Sequence, residues 1–258
     1  KLMRSIKLGL RQIIYENKAY RRNPAAAFFT LVFPLLFLGM LKIFGDGLVE
    51  IDGGEVTRAT IYIPMITAFS VVSSCYTGIA MTLTFNRDNG ILKRMRGTPL
   101  NLGPFLFGKI AHNVLISISL VIIIFTIGIL FFEVSVTPKT FPALIIILIL
   151  GSATFSALGI AITTIIPNSD AAAPIVNASV IPLMFISDVF IPMDNAPSWI
   201  NFIAQIFPVR PFSVALQDTY NPFVTSWGLD IQNILVLVVW LSAAIFISIK
   251  FFRWEPSS

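Results

Sequence analysis

Six runs of apolar residues, each about the length needed to cross a lipid bilayer, divide this chain and limit its fold more than any other feature. They cover residues 25–44, 59–85, 110–132, 141–166, 171–190 and 229–252. Of the 258 residues, 56% are hydrophobic and 12% charged, roughly half the charge of a soluble domain. The bilayer is therefore the solvent for most of the surface. An all-α integral membrane protein with six transmembrane helices follows, because a helix in lipid satisfies its own backbone. Pro174 and Pro182 interrupt the fifth run, and the carbonyls they free need neighbouring helices or water. That helix is expected inside the bundle. The first run follows a long basic segment and lacks a small-residue cleavage site, so it reads as a span and not as a removed signal peptide. Cys75 is the only cysteine, which excludes internal disulfides and cysteine-based metal sites and leaves it as a packing residue.

Orientation follows from the basic residues. Seven lie up to Arg22, five between Arg87 and Lys109, and Lys250 and Arg253 stand in the tail. The opposite side keeps Lys42, Arg58, Lys139 and Arg210. Positive charge stays inside, so both termini and the loop between spans 2 and 3 are expected in the cytoplasm. The acids Asp46, Glu50, Asp52 and Glu55 fall outside. Topology accounts for the net charge of +5, and no nucleic-acid partner is needed.

Three segments are not plain spans. In residues 1–24, Leu2, Ile6, Leu10 and Ile13 recur at helical spacing among Arg4, Lys7, Arg11 and Lys18. This is the pattern of an interfacial helix on anionic lipid, although a bare topology signal would carry the same charges. In residues 85–100, Asn86 or Asp88 caps a short helix that Gly97 and Pro99 end. Ile91, Leu92 and Met95 give it an apolar edge, and Lys93, Arg94 and Arg96 give it charge. On chemistry alone it is a docking helix or a lipid-bound loop. In residues 188–227, a run from Trp199 to Phe207 is too short to span, and Pro192, Pro197, Pro208 and Pro211 punctuate its surroundings. A re-entrant or interfacial helical pair is expected, with Trp199 and Trp227 at headgroup level. Arg210 there either pairs with Asp188 or Asp194 or anchors the pair to phosphates.

The order Arg87-Asp88-x-Gly90-x-Leu92-x-Arg94-Met95-x-x-Thr98-Pro99-Leu100 after the second of six spans resembles the cytoplasmic loop of type-2 ABC transporter permeases. These are the membrane subunits of drug, polysaccharide and lipid exporters. Where that family carries an acid before the arginine, this chain has Asn86. The stretch Pro208-Val209-Arg210 resembles a similar element in the family's extracellular hairpin, so the likeness covers the whole chain as one transmembrane domain, residues 1–258. It implies that Arg87, Asp88, Gly90, Leu92, Lys93, Arg94 and Met95 form a coupling helix that contacts a separate nucleotide-binding subunit. It also implies that Trp199, Pro208 and Arg210 belong to an extracellular lid between spans 5 and 6. A second permease copy, identical or not, completes the transporter. ATP and magnesium enter only through the partner subunit, and this chain carries no cofactor of its own.

No phosphate-binding loop, nucleophile–base set or metal-ligand cluster is visible in the sequence, so no catalytic or metal residue is assigned. His112 reads as a packed residue more readily than as a proton relay. The rival function, an ion-coupled secondary transporter or channel subunit, calls for ionisable groups near mid-membrane, where these spans carry none. Ser70, Ser73, Ser74 and Thr77 on span 2 either line a pathway or permit close helix packing. With Phe at 23 positions, the chain suits an amphipathic, drug-like or lipid-like cargo.

Overall fold

In the computed structural model, the structure describes residues 2–43, 47–51, 53–132, 134, 137–190, 196–224 and 226–255. Helix α1 (Leu2–Arg21) runs along α6 (Leu102–Phe132). The face it packs is small and polar, not the apolar stripe. Gly9 meets the Phe107 ring, and Gly108 lies so close to Gln12 that a Cβ there would collide with its side chain. Lys109 Nζ donates to Glu16 at 2.8 Å inside this seam. His112 is buried there with an edge-on contact to the Tyr20 ring. Leu10, Ile14 and Tyr15 consequently face outward, where lipid can cover them. The side chains of Leu2 and Ile6 lie outside the described residues.

Helix α2 (Pro24–Ile43) is followed by strands β1 (Leu48–Ile51) and β2 (Gly54–Thr57), paired antiparallel with Ile51 opposite Gly54. The fold is thus not all-α. In the connection between the two strands Gly53 has φ +109°, a region open to glycine. Phe223 packs against both Gly53 and Gly54.

The next long helix is compound. It comprises α3 (Arg58–Val72), a π-helical turn (Ser73–Gly78) and α4 (Ile79–Asp88). After α5 (Ile91–Arg96) come α6, α7 (Phe141–Ile162) and α8 (Ser169–Phe185). Then α9 (Ser198–Ile206) and α10 (Val209–Tyr220) form a helical pair, and α11 (Ile231–Phe251) closes the chain. Among the described residues, four helices are long and apolar enough to cross a membrane: Arg58–Asp88, Leu102–Phe132, Phe141–Ile162 and Ile231–Phe251. Helix α8 has 17 residues, about 26 Å at 1.5 Å per residue, and lies packed on α4 and α10.

The core lies between α3, α6, α7 and α10. Phe212 of α10 sits on Gly151, where any side chain would overlap its ring, and meets Phe155 edge-on at 5.3 Å. The turn between α9 and α10 reaches the middle of α11. There Trp240 Nε1 donates to the Ile206 carbonyl at 2.7 Å, and its ring stacks on Phe207.

Candidate functional site

Helix α5 is fixed from beneath and free above. Gly90, at φ +66°, turns the chain out of α4 in a conformation that glycine adopts without cost. Leu92 is the buried anchor, packed among Leu83, Phe105, Leu106 and Ile160, with Met95 against the same cluster. Thr98 Oγ1 donates to the Met95 carbonyl and closes the last turn. The chain's end folds back beneath it: Phe252 and Trp254 pack on Phe105. Glu255 reaches Lys93 at 3.6 Å and Arg96 at 3.4 Å. Lys93, Arg94, Arg96 and Ile91 face outward. These exposed pairs are each worth under about 1 kcal/mol, so Glu255 leaves the cations available.

Arg87 and Asp88 lie elsewhere. The sequence reading set them on the contact face, but the structure turns them inward. Arg87 is 3% exposed, and its guanidinium donates to the carbonyls of Thr163 (2.9 Å), Ile166 (2.7 Å) and Pro167 (3.1 Å). Asp88 accepts from the Ser169 backbone N–H and lies 3.6 Å from Arg87. The reason is electrostatic. The end of α7 presents orphan carbonyls and negative dipole, and the start of α8 presents N–H groups and positive dipole. Adjacent Arg and Asp complement both at one junction, with Asn168 capping α8 through Ala171 N–H.

The small residues of span 2 separate into two kinds. Ser70 is buried and donates to the Ile66 carbonyl, which is packing. Ser73, Ser74 and Thr77 lie half-buried on the π-helical turn. That turn meets α7 at Gly159, where a Cβ would stand 2.7 Å from the Tyr76 carbonyl oxygen and 2.9 Å from that of Cys75. Single π turns recur at functional sites. From this one, Tyr76 bonds Ser179 of α8 at 2.7 Å, and Cys75 Sγ meets Ser117 Oγ at 3.1 Å. Tyr76 and Ser179 line a 350 Å³ apolar cleft whose walls include Phe155, Leu183, Phe207 and Trp240. Its size is at the lower end of small-molecule sites. Sequence reasoning missed Tyr76, Ser179 and Trp240, because a lone hydroxyl or indole on an apolar helix carries no spacing signal.

In the helical pair, Trp199 is 64% exposed, Pro208 forms the turn, and Arg210 is half-buried two residues beyond it. Arg210 Nε donates to Asp188 Oδ2 at 2.9 Å, and a second guanidinium nitrogen donates to the Asn201 carbonyl. Asp188 is therefore its partner. The other candidate, Asp194, lies outside the described residues, as does all of 191–195. The turn before Arg210 stands beside the middle of α11, where Trp240 reaches the Ile206 carbonyl.

The family model described as ABC-2 type transporter matches residues 12–220. This chain belongs to the ABC-2 type transporter family. ABC-2 chains are the transport permeases of ABC transporters, membrane subunits with no ATPase site of their own. A relative in Cyanophora paradoxa, named as a transport permease, ycf38, is 26% identical over 197 residues, or 73% of this chain. The match spans 66% of that relative, just under two thirds of its length. The matched region of this ABC-2 permease takes in α3 through α10, with the α5 loop, the π turn and the helical pair.

Proposed function

We propose that this chain is the permease half of an ATP-driven exporter for an amphipathic, lipid-like or drug-like cargo. In this reading residues 1–258 form one transmembrane domain of six spans, with α2 and the short α8 supplying the two beyond the four long helices. Both termini and α5 face the cytoplasm of a cell membrane, and the α9–α10 pair enters the membrane from outside and turns back at Pro208. Two permease copies frame the pathway, and each seats α5 in a separate nucleotide-binding subunit. That subunit brings ATP and magnesium, and its closure moves α5 as a rigid body.

One observation carries this reading. In a chain of this family, α5 holds Leu92 and Met95 in its own core while presenting Lys93, Arg94 and Ile91 outward. A loop merely resting on lipid would turn its apolar residues toward the bilayer. The apolar walls of the cleft between α7, α8 and α11 support an oily cargo over an inorganic ion, and Ser73, Ser74 and Thr77 share the π-helical turn with Tyr76, which lines it.

The test is co-purification with a separate nucleotide-binding subunit. Lys93→Glu with Arg94→Glu should lower recovery of that subunit at least tenfold while membrane insertion stays normal. Unchanged assembly would refute the docking role of α5.

A further inference from the structure

Arg87 and Asp88 hold two helix ends together, and we infer that they form a strut that carries the displacement of α5 into α8 and on to the α9–α10 pair. The inference rests on the proposed coupling of α5 to a nucleotide-binding subunit and assigns the path inside this chain.

The geometry is continuous. Only Asn89 and Gly90 separate Asp88 from the first residue of α5, and Leu92 ties α5 to α4 and α6 through Leu83 and Phe105. A shift of α5 therefore moves the end of α4. Three bonds from Arg87 clamp the α7 end and the loop beyond it, and Asp88 holds the first N–H of α8. At its other end α8 leads to Asp188, which binds Arg210 of α10. Helix α8 thus has a charged contact at its start and another just beyond its end, with Tyr76–Ser179 between them. A short helix so held transmits a push along its axis better than one packed by apolar contacts alone, which slide.

The decisive substitution is Ser169→Pro. Proline suits the first helical residue, and the extended backbone of Asn168 (φ −149°, ψ 173°) is what a residue before proline adopts. The helix keeps its start and loses only the N–H that Asp88 holds. Arg87→Lys retains charge but loses the fork that reaches three carbonyls. Asp88→Asn keeps an acceptor oxygen for Ser169 and serves as the conservative rescue.

The readout is bimane fluorescence from Trp199→Cys, in a Cys75→Ser background, on the assembled complex in phospholipid vesicles, with ATP and vanadate added. The complex with Ser169 and Arg87 intact should show a nucleotide-dependent emission shift. Ser169→Pro and Arg87→Lys should each reduce that shift at least fivefold, with subunit assembly and basal ATP hydrolysis within twofold of the intact complex. Asp88→Asn should retain it. A full shift in both Ser169→Pro and Arg87→Lys overturns the strut while leaving the docking role of α5 intact. Loss of the nucleotide-binding subunit in Arg87→Lys overturns it too, since Arg87 would then be a partner contact. Failure of the intact complex to assemble or to give any shift overturns the coupling proposal, and the strut with it.

Discussion

Gly159 faces the carbonyl oxygens of Cys75 and Tyr76 at distances no side chain can share, so the π turn and α7 touch backbone to backbone. Gly159→Ala should lower stability by about 1–3 kcal/mol, the usual cost of overpacking, because backbone and not a flexible side chain must yield. Gly39, with nothing within 4 Å of its missing Cβ, is the control, and Gly39→Ala should be neutral or slightly stabilising in thermal unfolding of the purified protein. Equal effects at both positions would remove the close approach as the cause. Arg210 and Asp188 make a second residue-scale test. Arg210→Met removes the cation that donates to the half-buried Asp188 carboxylate, and losing a charged hydrogen bond of this kind costs about 1–3 kcal/mol. Adding Asp188→Asn, a residue that tolerates the positive φ of this position, should recover most of that loss. If the double variant is no better than the single, the pair is not the stabilising unit.

At the scale of elements, hydropathy made the spans legible: the long helices fall within a few residues of the apolar runs, except that α6 starts eight residues earlier, at Leu102. The β-hairpin was not foreseen, because a reading tuned to membrane length passes over strands of four residues. The inward turn of Arg87 was not legible. Its acceptors are backbone carbonyls in another loop, which leave no trace in side-chain identity. The π turn was not legible either, since its contact with Gly159 runs through the Cys75 and Tyr76 backbone carbonyls. One element has a readable pH response. Near the end of α10, burial and then the nearby Asp230 push Asp218 from 3.8 up to about 6. The folded protein therefore binds this proton more tightly than the unfolded chain does. The resulting penalty is absent below about pH 4 and fully present above about pH 6. Thermal stability of the native protein, relative to Asp218→Asn, should fall as pH rises through that window and level off beyond it. A flat difference would mean Asp218 is solvated like an ordinary carboxylate.

At the scale of the molecule, the helices differ in what surrounds them. The compound helix Arg58–Asp88 and α7 are each 61% buried over their most apolar window, whereas α6 is 28% buried and α11 17%. The first two form the interior of the subunit, and the last two are left for lipid or for another subunit. Ile122, Leu235 and Val239 stand on those open faces, while Trp199, in the first turn of α9, and Trp227, shortly before α11, stand exposed. Single cysteines on a Cys75→Ser background turn this into a topology test, since Cys75 is fully buried and its serine keeps the bond to Ser117. A membrane-impermeant maleimide added to intact cells should label Trp199→Cys and Trp227→Cys. Lys93→Cys should label only after the cells are opened, and Val239→Cys only with a lipid-soluble reagent. These outcomes depend on one another through the chain. Lys93 and Trp199 are separated in the six-span reading by three crossings, α6, α7 and α8, so they must fall on opposite sides. If both were labelled from the same side, α8 would not cross, and the α9–α10 pair would belong to the face that carries α5.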